Sequence, residues 1–189
     1  MSSSEEIVFS GRIGEVVHDK QPDGRTFEQY RRPPGTRLII IDADNRILIT
    51  RERRHETGNV DLRLPGGKVC DSLAEYHDLL KGNVPLSEAA VAAAIKEARE
   101  ETGHVLRNLE LVTIAHAGAT VRWDLYYYKT RDYDPEPRAQ SLEIGEEISV
   151  NWMTPDALRN AISDGRMQEW RSVGVLLGLI LPQLEAASR

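Results

Sequence analysis

The chain has 189 residues, 40% of them hydrophobic and 29% charged, and its 30 Asp+Glu against 24 Lys+Arg give a formal net charge of −6. That length suits one globular domain, and the composition excludes disordered, collagen-like and low-complexity architectures. The single cysteine excludes an intramolecular disulfide scaffold, and the acidic balance disfavours duplex binding through a basic surface.

The opening MSSSEEIVFSGR has no basic stretch followed by an apolar run, so no secretory leader is predicted. Residues 7–18 are β-rich, and Gln21-Pro22-Asp23-Gly24 is a turn signal. An extended stretch from Thr26 to Arg32 ends at Pro33-Pro34-Gly35, because proline has no amide hydrogen for a ladder. Thr36–Ile41 and Arg46–Arg51 flank Asp42-Ala43-Asp44-Asn45 and predict a β-hairpin. Leu64-Pro65-Gly66-Gly67 breaks the pattern, and Lys68-Val69 follows as a short strand. Leu73, Tyr76, Leu79 and Leu80 fall at helical spacing, which predicts an amphipathic helix over 73–81 that Gly82 ends. Ser87 reads as the N-cap of a longer helix from Glu88 to about Thr102, closed by Gly103. Strands resume at 109–115 and 120–130, and residues 131–145, with Pro135 and Pro137, read as a loop. Ile148–Met153 is a strand, Thr154-Pro155-Asp156 begins a helix, and a last helix runs from about 168 to 181. Its apolar run, Val173 to Leu181, is nine residues and far short of a membrane span. This order predicts a single α/β-type domain over residues 1–189.

One segment carries chemistry: Lys96-Glu97-Ala98-Arg99-Glu100-Glu101-Thr102-Gly103. On a helix Glu97 lies one turn before Glu100 and Glu101, so three carboxylates crowd one side near the C-terminal end. They repel one another, and the helix dipole disfavours anions there. A hard divalent cation removes the conflict, since Mg²⁺ takes carboxylate oxygens together with substrate phosphates.

The segment resembles the signature of the Nudix hydrolases, Gly-x5-Glu-x7-(Arg/Lys)-Glu-U-x-Glu-Glu-x-Gly, where U is bulky or aliphatic. Glu88 is followed by seven residues and then by Lys96 through Gly103. The chain departs from the pattern at Lys96, where the family usually has Arg, at the small Ala98, and at His104, whose position is usually apolar. Gly82 satisfies the literal spacing to Glu88, but the family's glycine normally follows a strand as Leu-Pro-Gly-Gly, here Leu64 to Gly67. The second alignment is preferred, and it makes residues from about 69 to 86 an insertion. The resemblance implies a Nudix fold, α/β (α+β), a mixed β-sheet α/β/α sandwich with an antiparallel strand extension over 1–35.

It also implies hydrolysis of the pyrophosphate bond in a nucleoside diphosphate derivative with Mg²⁺ or Mn²⁺. Glu97 and Glu101 are then the first metal ligands, Glu100 a third ligand or the group that orients water, and Gly67 a carbonyl ligand. Glu88 supports the site, with Lys96 as its charge partner. The general base lies outside the signature: Glu146 is the first candidate, with Glu147 and Glu143 behind it. The N-terminal strands, Tyr30-Arg31-Arg32-Pro33 and the strand bearing Arg51 and Arg53 are similar to the ADP-ribose and nucleotide-sugar branch, whose members are homodimers. Arg53 and Arg51, two apart and on one strand face, are substrate-binding candidates. Against ADP-ribose selectivity, His116-Ala117-Gly118-Ala119 lacks the Ser-Pro-Gly of many selective members.

Two other functions stay open: a nucleoside triphosphate pyrophosphohydrolase and a non-catalytic nucleotide-binding module. The expected partners are a small nucleotide and a second copy of the chain, with no nucleic acid and no membrane, in the cytoplasm. The insertion is expected to cover the site mouth or a partner subunit with its Leu73/Tyr76/Leu80 face. Trp123 and most of the tyrosines read as core, His55 and His77 as surface, and Cys70 as inert.

Overall fold

The chain runs through β1 (Ser4–Ser10), β2 (Glu15–Lys20), β3 (Thr26–Arg31), β4 (Gly35–Ile40), β5 (Ile47–Arg53) and β6 (Val60–Arg63) before its first helix. Helices α1 (Leu73–Lys81) and α2 (Leu86–Glu97) follow, and α2 continues as a π-turn over Ala98–Thr102. Strands β7 (Glu110–Ala115), β8 (Val121–Arg122), β9 (Leu125–Thr130) and β10 (Ile148–Met153) precede α3 (Pro155–Ser163) and α4 (Trp170–Val175). A π-segment over Leu176–Ile180 leads into α5 (Leu181–Ala187). The structure, a computed structural model, describes residues 4–54, 58–82 and 84–187.

Three sheets result, with strand orders β1-β2-β3-β8, β10-β5-β6 and β4-β9-β7. The expected hairpin forms only at its turn, where the Asp42 N–H reaches the Arg46 carbonyl at 3.0 Å. Beyond an Ile41–Ile47 bridge the two strands part; β4 pairs parallel with β9, and β5 pairs antiparallel with β10. The cause is burial on both faces. Ile39, Ile41, Ile47 and Ile49 enter one core with Leu158 and Ile162 of α3 and Val173, Leu176 and Leu181 beyond it. Their neighbours Leu38, Ile40 and Leu48 enter a second core with Ala90, Ala94 and Ala98. Period-two alternation thus feeds two cores from the same strands, and the sandwich has α2 on one side and α3–α5 on the other. Alanines four residues apart let α2 lie close to the strands.

Several local readings are corrected. Helix α2 begins at Leu86 with Pro85 as its cap, so Ser87 lies inside the first turn. The 120–130 stretch breaks at Trp123-Asp124, where the chain leaves the N-terminal sheet for the sheet of β4. Lys68 makes only an isolated bridge to Gly35, β6 was not foreseen, and the last helical stretch runs on to Ala187. The tyrosine run is core as expected: Tyr127 joins the first cluster, Tyr126 and Tyr128 the second.

The insertion forms the expected helix, capped by Ser72, whose side chain accepts from the Glu75 N–H at 3.1 Å, and ended at Gly82. Leu73 and Tyr76 bury against Val69, Cys70 and Leu86, whereas Leu80 is 45% exposed. His77, read as a surface residue, has its Nε2 at 3.0 Å from both carboxylate oxygens of Glu15. The Arg31 Nε also donates to Glu15, at 2.7 Å. The insertion therefore docks on the chain's own N-terminal sheet. Among the described residues no helix is long and apolar enough to cross a membrane.

Candidate active site

The Leu64-Pro65-Gly66-Gly67 turn leaves β6 and passes under the end of α2. Gly66 has φ +139°, and a β-carbon there would collide with the Thr36 carbonyl; one at Gly67 would collide with the Glu97 carboxylate. The Gly66 N–H donates to Glu101 Oε2 at 2.8 Å. The turn is pinned to β4 from below, because Thr36 N–H donates to the Gly67 carbonyl at 2.9 Å and Leu38 N–H to that of Pro65 at 2.8 Å. Arg37, only 5% exposed, donates to the carbonyls of Thr36 at 2.8 Å and Gly66 at 3.1 Å. The glycine pair of this turn, not Gly82, faces the carboxylate helix. Gly67 is glycine because Glu97 lies against it, and its carbonyl is turned to Thr36 rather than presented free as expected.

The loop after β9 closes the C-terminal end of that helix. The carbonyls of Glu100 and Gly103 accept from the Ser141 and Arg138 N–H groups, both at 2.9 Å, and the Glu101 carbonyl accepts from Gln140 Nε2. Carbonyls at a helix C-terminus have no partner within the helix, so this loop caps it. Gly103, at φ +75°, makes room, since a β-carbon there would collide with the Arg138 carbonyl. The π-turn over Ala98–Thr102, a form that recurs at functional sites, carries Glu100 and Glu101 into the same space as Glu97.

That space is a cavity of about 480 Å³ lined by the carboxylates of Glu97, Glu100, Glu101, Glu143 and Glu146, and by Arg32, Arg37, Arg54 and Arg63, with Glu52 beside Arg54 and Arg63. Burial, then the neighbouring Glu100 charge, pushes the Glu97 carboxyl up to about 7. Burial pushes Glu101 up to about 8, against the opposing Gly66 hydrogen bond. Glu100 is paired with Lys96 at 3.8 Å, and its charge raises the Lys96 pKa. The expected Glu88–Lys96 pair is corrected: Glu88 is exposed, and two helical turns, about 12 Å, separate the two positions.

Glu146 and Glu143 both line the cavity, and the Glu143 N–H donates to Glu146 Oε2 at 2.8 Å. Glu147 does not; it lies in a shallow depression with Arg51, Arg53 and Ile148. The same correction applies to Arg51 and Arg53, because strand alternation turns Thr50, Glu52 and Arg54 to the cavity instead. Sequence reasoning missed Arg37, Arg54, Arg63 and the role of Arg32. One signal was available for Arg37, an arginine inside the buried run Thr36–Ile41. The Trp123 ring already carries the guanidinium groups of Arg32 at 4.3 Å and Arg171 at 4.2 Å, which compete with any base for it. His55 lies outside the described residues. Among the described residues no three His, Cys, Asp or Glu side chains converge closely enough to hold a metal by themselves.

The NUDIX domain family matches residues 31–172. No curated protein sequence matches the chain. A crystal structure of an ADP compounds hydrolase has a similar fold, with a TM-score of 0.66 at 18% identity, covering 100% of this chain and 96% of that one.

Proposed function

The chain belongs to the Nudix family, and from that premise we propose that it is a divalent-metal-dependent pyrophosphohydrolase. Its substrate is a nucleoside diphosphate derivative, ADP-ribose or another nucleotide sugar foremost. One observation carries the reading: the Gly66-Gly67 turn is held against Glu97 and Glu101 in one cavity that Glu146 also lines.

The donor set fits Mg²⁺ or Mn²⁺. Glu97 and Glu101 offer hard oxygens whose burial makes them poor free anions, and Glu100 lies beside them. Fewer than three converging side chains suits an ion that keeps several waters and takes phosphate oxygens from substrate. When bound, the cation shields the pyrophosphate and offsets charge on the leaving phosphate. The chain's own residues do the rest. Glu146, on a loop fastened to the helix end through residues 138–141, is the general base. It takes a proton from water as the water oxygen bonds to phosphorus. The bond from that phosphorus to the bridging oxygen breaks, and the departing phosphate keeps the electron pair. Arg54 and Arg63, which also line the cavity, face that growing charge.

The partner beyond substrate is a second copy. Ile7, Val8, Phe9 and Phe27 are exposed apolar residues of the N-terminal sheet, and β1 presents an unpaired edge. A solution mass near 21.3 kDa, that of one chain, would overturn this part.

The central test is a Mg²⁺ and Mn²⁺ hydrolysis screen with product analysis. Nucleoside monophosphate plus sugar phosphate is the expected pair. Nucleoside monophosphate plus pyrophosphate would move the substrate to nucleoside triphosphates, and no turnover at all would favour a binding module. Glu97→Gln should lose nearly all turnover with the fold intact.

A further inference from the structure

Arg32 differs from the other cations of the large cavity. Arg54 and Arg63 lie 2.7 Å and 3.6 Å from Glu52, Lys68 is exposed to water, and Arg37, whose Nε is also sealed without a partner among the described residues, is held by Nη1 on two backbone carbonyls. The Arg32 side chain is half-buried against Trp123. Among the described residues it has no hydrogen-bond acceptor, and its Nε is sealed from solvent. Arg171, over the same indole, is satisfied by Glu169 at 3.3 Å and by the Trp123 carbonyl at 2.6 Å. A buried donor left without an acceptor is destabilising, and stacking on Trp offsets part of that cost. Such a guanidinium is suited to an anion that comes from outside the chain.

Its position indicates which anion. Arg32 and Pro34 line both the large cavity and a smaller one of about 280 Å³. Tyr76 of the insertion, His116, Arg122 and Asp124 form other walls of the smaller cavity, and His116 Nδ1 is 2.7 Å from Asp124. Arg122 is engaged by Gln29 and Glu5, so the Asp124 carboxylate and the His116 imidazole are left for hydroxyl groups, while Leu86, Val121 and Tyr126 suit the carbon faces of a sugar ring. The two parts are one rigid unit, since Arg32 N–H donates to the Arg122 carbonyl at 3.1 Å and Gly35 N–H to that of Asp124 at 2.9 Å.

We propose that Arg32 receives the phosphate of the substrate's sugar half, with the sugar hydroxyls in the smaller cavity and the insertion helix forming part of its wall. The assignment rests on the nucleotide-sugar reading of the main site. It makes Arg32 a specificity-determining residue and places the sugar phosphate product where it forms.

The test uses the full chain in EDTA, with ribose 5-phosphate and inorganic phosphate as probes in calorimetry or NMR titration. Wild type should bind both saturably. Arg32→Gln should weaken both at least tenfold, and Arg32→Lys should weaken them too, because it loses the planar fork and the stacking. Asp124→Asn should weaken ribose 5-phosphate and spare inorganic phosphate. Folded Arg32→Gln or Arg32→Lys protein that binds like wild type would overturn the proposal, as would wild type without saturable binding. Equal ribose 5-phosphate affinity in Asp124→Asn would overturn the placement of the sugar. Because these titrations contain no metal and no turnover, a failure of the hydrolase reading would appear separately, in the hydrolysis screen.

Discussion

Two buried glutamates sit in different halves of the molecule and have opposite ionisation. Glu15, in the N-terminal sheet, is 0% exposed, and Glu101, at the end of the carboxylate helix, is 9% exposed. Burial alone would raise both. At Glu15 the hydrogen bonds from His77 and Arg31 reverse it and hold the carboxyl below its usual value. At Glu101 a backbone N–H from Gly66 and the charge of Arg37 oppose burial, but burial wins, at about 8. The first carboxylate is complete within the chain. In the proposed reading the second is completed by a cation, and that difference would separate an architectural charge from a working one.

The sharpest way to break this contrast is to neutralise each glutamate in turn. Glu101→Gln, which keeps the shape, should lower kcat with Mg²⁺ by about 10³-fold or more, the equivalent of about 4 kcal/mol. Its metal-free melting temperature at neutral pH should hold, because burial already keeps this carboxyl protonated there and the Gln oxygen can still accept from the Gly66 N–H, and above pH 8 it should rise relative to wild type. Activity within tenfold of wild type would remove Glu101 from the metal site.

Much of this contrast was legible in the residues, but unevenly. The spacing of Glu97, Glu100 and Glu101 is local, and any helix through them brings them together, so these carboxylates of the cavity were readable. The Leu-Pro-Gly-Gly turn was readable through its resemblance to the Nudix signature, in which the glycine follows a strand. The arginines of the cavity were not. Whether Arg51 and Arg53 or Glu52 and Arg54 face the cavity depends on strand phase, and a slip of one residue exchanges the faces. The Thr36–Ile41 and Arg46–Arg51 runs read as a hairpin because turn chemistry is local, while their separation into two sheets depends on β9 and β10, far away in sequence. The link from His77 to Glu15 spans the same kind of distance, and nothing at either position announces it.

Glu15→Gln should act on stability instead. Removing one member of a buried charged group costs about 3–5 kcal/mol; since Glu5 still contacts Arg31 at 2.7 Å, about 3 kcal/mol is expected in urea unfolding. The folded variant should keep its kcat. A large loss of turnover with unchanged stability would invert the comparison.

The pH dependence should have opposite signs at the two places. The folded pKa of Glu15 lies below the ordinary 4.5, so its contribution is present above that value and is lost as pH falls through the folded one. Wild type and Glu15→Gln should therefore converge in stability in acid. The folded values of Glu97 and Glu101, about 7 and about 8, lie above 4.5. In EDTA the folded state holds protons that the unfolded chain releases, so this contribution is full below pH 4.5 and lost as pH rises through 7 to 8. A metal-free decline of several kcal/mol from pH 5 to 9, which Mg²⁺ reduces, is the expected record. A flat metal-free profile would mean that the two carboxyls are not strained as anions.

The smallest effect, and the finest test, is His77→Gln. The imidazole is one of two side chains on the Glu15 carboxylate, and Arg31 stays in place at 2.7 Å, so the loss should be about 1 kcal/mol. It should also be local. Helix α1 is held by Leu73 and Tyr76 on its apolar face and by His77 on its polar one, so amide exchange should accelerate within 73–81 and little elsewhere. Unchanged exchange there would show that apolar packing alone holds the insertion, leaving Arg31 as the partner that keeps Glu15 ionised.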